Sequence, residues 1–196
     1  MIEADRVVVG ISGASGAAIG LRIVELLALT QTCEVHLVIS PAAERVLVDE
    51  VGAEALPRLR ERASHCHRYD DIGASIASGS FRTAGMIVAP CSIRSLSAIA
   101  TGILDNLLVR AADVQLKERR KLVLLVRESP LHLGHLRAMT QATEIGAIIA
   151  PPVPAFYLRP DSLAGAIDHI ARRAIQLLDL KVTRVAQTEW SGGAGS

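Results

Sequence analysis

Arg6-Val7-Val8-Val9 runs directly into Gly10-Ile11-Ser12-Gly13-Ala14-Ser15-Gly16, and this junction restricts the possible folds more than any other stretch. A β-branched run near the start of a chain reads as a buried parallel strand. Glycines at every third position then turn it into residues 17–27, where apolar side chains recur with a helical period. Strand, Gly/Ser turn and helix start together form an anion site. The unpaired N–H groups and the dipole of the first helical turn point at one spot, and the hydroxyls of Ser12 and Ser15 suit a phosphate. The pattern is neither the dinucleotide G-x-G-x-x-G nor the Walker P-loop, and it lacks the second flanking glycine of G-x-S-x-G. On its own the turn leaves two readings open: a seat for a phosphate-bearing ligand, or a plain tight βα connection.

The rest of the chain keeps the same alternation. Strands are expected at residues 34–39, 85–89, 122–126 and 146–149, with a short edge strand at 64–68 in an otherwise ambiguous stretch, 53–69. Ser40-Pro41 opens a helix through Val51, a serine N-cap followed by proline at the first helical position. Residues 70–80 read as a polar loop and 93–101 as a short helix. Asp105 is expected to cap a helix running to about Arg119, and Ser129-Pro130 to open one through Glu144. The last helix starts near Asp161 and carries the stripe Leu163, Ile167, Ile170, Ala174 and Leu177. Alternation of this kind predicts an open parallel sheet with helices on both faces. Residues 1–190 form a single domain in this reading, with 191–196 a flexible Gly/Ser tail.

Composition adds three constraints. Half of the 196 residues are hydrophobic, with a mean hydropathy of +0.35, so part of the apolar surface is expected to be covered by further copies of the chain. Twenty-one basic and twenty acidic residues leave a charge of +1, which argues against a nucleic-acid partner. Cys33, Cys66 and Cys91 show no C-x-x-C spacing, which fits a reduced cytoplasmic setting. The start of the chain lacks the basic and apolar regions of a signal peptide, and no apolar stretch is long enough for a bilayer. No membrane association is expected.

In an open parallel sheet, ligands bind beyond the carboxyl ends of the strands. The polar punctuation gathers there: Gly13-Ala14-Ser15 after the first strand, Ser40 after the second, Ser92 after the strand at 85–89, Arg127-Glu128 and Tyr157 after the last two. Arg110, Asp113 and Lys117 share a helix face and read first as a surface ion-pair ladder. Glu128 is either a general acid/base raised by partial desolvation or a carboxylate at a helix start. Cys91 is a nucleophile or, more simply, a buried structural thiol. His65/His67 and His132/His135 have spacings a metal could use. No cysteine or carboxylate stands at a ligand-like separation from them in sequence, so no metal is expected.

A set of motifs occurs in order: the Gly-Ile-Ser-Gly-Ala-Ser-Gly turn, Ile76-Ala77-Ser78-Gly79-Ser80-Phe81, Ala89-Pro90-Cys91-Ser92, Arg110-Ala111-Ala112-Asp113-Val114, Leu116-Lys117-Glu118-Arg119-Arg120, Arg127-Glu128-Ser129-Pro130-Leu131 and Pro151-Pro152-Val153-Pro154-Ala155-Phe156-Tyr157. Together they resemble the UbiX-type flavin prenyltransferases. The resemblance implies a flavodoxin-like (Rossmann-like) three-layer α/β fold and assembly as a homododecamer. It implies a metal-independent transfer of a dimethylallyl group from dimethylallyl monophosphate to reduced FMN, giving prenylated FMN for a UbiD-type decarboxylase, as in ubiquinone biosynthesis. By the same resemblance Gly13, Ala14, Ser15, Ser40, Ser92, Ile93, Arg94, Ser95 and Arg127 bind FMN. Lys117, Tyr157 and Arg173 hold the donor phosphate, and Glu50, Lys117 and Glu128 are catalytic. Two alternatives are a flavin-dependent cysteine decarboxylase of the same fold and a non-catalytic FMN carrier. The decarboxylases depend on a His and an Asn-containing turn, where this chain has Pro90-Cys91-Ser92-Ile93. A carrier has no use for Lys117, Glu128, Tyr157 and Arg173 together.

Overall fold

The computed structural model describes residues 4–181 and 185. The opening β-branched run lies in β1 (Asp5–Ile11), where Val7, Val8 and Val9 are fully shielded from solvent. Gly16, at φ +103°, closes the turn in a conformation that side chains resist, and α1 (Ala17–Leu29) begins at the next residue. β2 (Cys33–Ile39) pairs in parallel with β1. Ser40 caps α2 (Pro41–Val51) by accepting a hydrogen bond from the Ala43 N–H at 3.2 Å. The ambiguous stretch resolves into α3 (Ala55–Arg62), which buries Ala55 and Leu59, and the expected edge strand β3 (His65–His67). The loop that follows contains a 3-10 turn at Ser75–Ala77 that sinks Ile76 into the core.

The second half comprises β4 (Gly85–Cys91), α4 (Ile93–Thr101), α5 (Leu107–Lys117), β5 (Lys121–Val126), α6 (Leu133–Glu144), β6 (Ile148–Ile149) and α7 (Leu163–Leu178). β4 passes through Pro90 instead of stopping before it. The β4–β5 register shifts between Val88 and Cys91, so the missing N–H of Pro90 falls where the ladder is already interrupted. Three helix starts differ from expectation. Asn106, not Asp105, caps α5 through the Val109 N–H, because Asp105 is drawn to Arg94. His132 caps α6 by accepting from the Gly134 N–H, so the helix begins after Ser129-Pro130 rather than at it. Ser162 caps α7 in place of Asp161, and Leu163 is exposed rather than part of the buried stripe.

All six strands are parallel, in the order β3-β2-β1-β4-β5-β6. The chain winds outward from β1 to β3, then returns to lay β4 on the other side of β1. That reversal is a topological switch point, and it opens a crevice above the carboxyl ends of β1 and β4. One sheet face buries Val7, Val9, Ile11, Leu37 and Ile87 beneath α1, α2, α3 and α7. The opposite face buries Val8, Met86, Val88 and Leu124 beneath α4, α5 and α6. The architecture is the expected three-layer α/β fold of flavodoxin type. α1 lies so close to β4 that a Cβ on Gly20 would stand 2.3 Å from the Ala89 carbonyl oxygen.

Candidate active site

Ser12 ties the loops of the crevice together. Its N–H and hydroxyl both donate to the Pro90 carbonyl, at 3.2 and 2.9 Å, and its oxygen accepts the Ser92 N–H at 2.7 Å. The Ser40 N–H donates to Ile11 O at 3.0 Å and the Arg127 N–H to Cys91 O at 3.1 Å. The segments after β1, β2, β4 and β5 are thus held to one another by main-chain bonds. Ser12 is buried, so its role is to position these loops, with the exposed Ser15 left facing solvent.

The anion site foreseen at the start of α1 is present, and the chain supplies its own anion. The Glu50 carboxylate accepts hydrogen bonds from the Gly16 N–H at 2.9 and 3.0 Å and from the Ala17 N–H at 2.8 Å. A carboxylate at a helix N-terminus is favoured by the dipole and by the otherwise unpaired donors. The expectation of a ligand phosphate on this turn therefore meets a physical obstacle. Two of the N–H groups already serve Glu50, which reaches them from the end of α2.

Two other helix starts face the same edge. Ser40 begins α2, and Ser92 begins α4 by accepting from the Ser95 N–H at 3.3 Å while its hydroxyl donates to Ser95 at 3.2 Å. Ile93 is the first residue of α4. The Arg94 guanidinium is engaged by Asp105 and by the Tyr69 hydroxyl, so toward the crevice Arg94 offers its main chain. Arg127 is exposed and pairs with no carboxylate among the described residues, while Glu128 beside it accepts the Ser129 N–H at 3.0 Å. Cys91 is wholly buried, which pushes its thiol up to about 12 and makes it inert as a nucleophile.

Beyond β5 and β6 lies a cleft of about 270 Å³. Leu125, Ala150, Pro151, Ala155, Ile170 and Ala174 give it apolar walls, and Tyr157 and Arg173 reach its rim. Arg173 accompanies Gln176, to whose side-chain amide oxygen it donates at 3.0 Å. Arg172 is fixed from behind by Asp168, at 2.6 Å. Burial works against the charge on Asp168. Hydrogen bonds from Arg172 and Arg22 outweigh it and hold the carboxyl below its usual range. His169 also lines the cleft and was not singled out from sequence. Its i, i+4 relation to Arg173 was the available signal.

Lys117 is elsewhere. It is the last residue of α5, immediately before β5 begins at Lys121, and so lies at the amino edge of the sheet. Arg127 and Glu128 follow the other end of β5, a strand length of roughly 20 Å away. In this position Lys117 pairs with Glu118 at 2.7 Å, and Arg110 with Asp113 at 2.9 Å, so the foreseen ion-pair ladder is made without Lys117. Within one chain the crevice residues and the Tyr157–Arg173 cleft both lie at the carboxyl end of the sheet, and Lys117 lies at the opposite edge.

A family model described as flavoprotein matches residues 1–172. The chain is 53% identical over 187 residues to the flavin prenyltransferase UbiX of Thauera aromatica, covering 95% of this chain and 94% of the relative. Among solved structures, AnUbiX (PadA1) in complex with FMN and dimethylallyl pyrophosphate is similar with a TM-score of 0.89 and 42% identity, over 97% of this chain and 100% of that one. A dodecameric FMN-dependent UbiX-like decarboxylase from Escherichia coli O157:H7 matches with a TM-score of 0.89 and 37% identity, over 95% and 100% of the two chains.

Proposed function

The chain belongs to the flavoprotein family, among the UbiX-type flavin prenyltransferases, and from that premise we propose that it joins a dimethylallyl group from dimethylallyl monophosphate to N5 and C6 of reduced FMN. The observation that carries this reading is that two unlike sites open at the carboxyl end of one sheet: a crevice where Arg127 has no carboxylate partner among the described residues, and, beyond β5 and β6, an apolar cleft rimmed by Tyr157 and Arg173. Residues 1–190 act as one flavoprotein domain in the cytoplasm, and the prenylated FMN passes to a UbiD-type decarboxylase.

Reduced FMN supplies the nucleophilic nitrogen and the ring carbon at which the new ring closes. The residues present fit such a group. Arg127 offers a cation with no carboxylate partner among the described residues, and the serine-capped starts of α2 and α4 point N–H groups and hydroxyls into the crevice. Ser15 and the main chain of Gly13 and Ala14 border it on the β1 side. With Glu50 already on α1, the flavin phosphate is assigned to Ser40 and the Ser92–Ser95 turn.

Tyr157 and Arg173 hold the donor phosphate and neutralise its charge as the allylic C–O bond breaks. Charge-assisted hydrogen bonds of this kind are worth about 1.5–3 kcal/mol each, and more where water is excluded. The aliphatic cleft walls exclude water and offer no nucleophile to a cationic carbon. Glu128 carries the proton during ring closure, with Glu50 as the second carboxylate. Lys117 completes the phosphate site from a neighbouring copy, because its own chain keeps it a strand length away. That requirement accords with an oligomer, here taken as a homododecamer.

The test is the mass and absorption spectrum of the product after incubation with reduced FMN and dimethylallyl monophosphate. A flavin heavier by one dimethylallyl unit and carrying a fourth ring is expected. Recovery of unmodified FMN would overturn the assignment and leave the carrier reading.

A further inference from the structure

The parallel register of β2 and β3 sets His36 opposite His65 and Val38 opposite His67. Three imidazoles therefore share one face of the sheet edge, with Glu34 two residues before His36 on the same face. The His36 and His65 rings stack at 4.6 Å, and His36 Nδ1 lies 3.0 Å from His67 Nε2. The other nitrogen of His36, Nε2, is buried without a hydrogen-bond partner among the described residues, 3.9 Å from a Glu34 carboxylate oxygen. The ligating atoms of Glu34, His36 and His65 all fall within 4.8 Å of one another.

From this arrangement we propose that Glu34, His36 and His65 bind a divalent transition-metal ion of the zinc class. A hydrogen bond from His36 Nδ1–H to His67 Nε2 leaves the His36 Nε2 lone pair aimed at the space between Glu34 and His65. Metal-binding histidines are oriented in the same way, by the bond their other nitrogen makes. Arg6 Nε donates to Glu34 at 2.8 Å, so the carboxylate is anchored as well. Phe81 shelters the cluster, its ring edge-on to His36 at 5.0 Å and beneath the Arg6 guanidinium at 5.2 Å. Two imidazoles and one carboxylate select zinc, cobalt, nickel or copper over magnesium and calcium, which prefer all-oxygen sites.

Metal bonds of about 2.0–2.2 Å place tetrahedral ligand atoms about 3.4 Å apart. Rotation of the solvent-facing Glu34 and His65 side chains closes the remaining gap, and water takes the fourth position, because His67 is engaged by His36 Nδ1–H. The nearby Arg6 charge opposes the ion, so binding is weaker than at a thiolate-rich structural site. Within its own chain the ion stands apart from the crevice: Glu34 precedes Ser40 by six residues, roughly 20 Å along the strand. Its effect is to staple the three-residue edge strand β3 to β2, and with it the start of the segment leading to β4.

The experiment is titration of chelator-stripped protein with Co²⁺ and then Zn²⁺. One Co²⁺ per chain is expected, with visible d–d bands that Zn²⁺ displaces, and Zn²⁺ should raise the melting temperature. His65 is exposed, so His65→Ala should fold normally, weaken binding at least tenfold and abolish the thermal shift. His132→Ala, which breaks the other close histidine pair, should change neither. Absence of stoichiometric binding, binding unchanged in both His65→Ala and Glu34→Gln, or binding lost in His132→Ala would each overturn the proposal. Flavin prenylation is measured separately, so the two outcomes do not confound each other.

Discussion

Replacing Gly20 with alanine tests how tightly the first helix is pressed onto the sheet. The added Cβ would stand 2.3 Å from the Ala89 carbonyl oxygen and 2.9 Å from Ile11 Cδ1. Ile11 can rotate a little; the carbonyl belongs to a strand flanked by β1 and β5 and cannot. α1 must therefore retreat by about 1 Å, a gap that forfeits a quarter to a half of each dispersion contact it opens. Ile23, Val24 and Leu27, all on the buried face of α1, lose contacts in this way. Overpacking of this kind costs about 1–3 kcal/mol, and the better helix propensity of alanine returns up to about 1 kcal/mol. Because the clash is with backbone that cannot yield, the upper end of that cost applies and a net loss of about 2 kcal/mol is expected, which lowers the urea midpoint by roughly 1 M at a typical slope. Urea titration followed by circular dichroism measures it. FMN affinity should fall in parallel, because Ser15 and Gly16 move with the helix. A midpoint equal to or above wild type, the result of propensity acting alone, would refute the packing argument.

Glu128→Gln keeps the shape of the crevice but removes its acid/base, so turnover to the four-ring product should fall by roughly 10²–10⁴-fold with FMN binding retained. Single-turnover spectroscopy checks this, and a wild-type rate would shift attention to Glu50. Ser15→Asp adds a second negative charge beside Glu50 and should weaken FMN binding at least tenfold; an unchanged titration would remove the turn from the flavin site. Burial first, then the neighbouring His65 and His67, push His36 down from 6.5 to about 4. Between those values the unfolded chain takes up a proton that the folded chain refuses. This contribution is thus complete above about pH 6.5 and is lost as pH falls toward 4, by up to about 3 kcal/mol. Denaturation midpoints with chelator present should show that slope in wild type and not in His36→Phe, and equal slopes would contradict it.

The strand-turn-helix opening and the βα alternation were legible because each is a local pattern. Val7–Val9 and Gly16 read the same way in isolation and in the fold. Cap positions were legible only to within a few residues, since Asp105 and Asn106, or Asp161 and Ser162, are both capable caps and only the backbone geometry chooses between them. The His36–His65 contact was invisible because the strands that carry it pair across two helices, α2 and α3. That Glu50 serves the start of α1 likewise depends on how α2 folds back. The place of Lys117 could have been reasoned out: in a βα unit a helix runs opposite to the strands, so its last residue lies at the amino edge. Shared chemistry with Tyr157 and Arg173 suggested a shared location that the topology denies.

That separation has a genetic consequence. If each donor-phosphate site draws Lys117 from one chain and Glu128 from another, Lys117→Ala and Glu128→Gln disable a site from different sides. Two inactive variants, unfolded and reassembled together in equal amounts, should then regain activity, with about a quarter of the sites intact for random mixing in a closed oligomer. Co-expression of the two alleles should rescue a strain that neither rescues alone. A protein whose sites lay within single chains would show no such restoration.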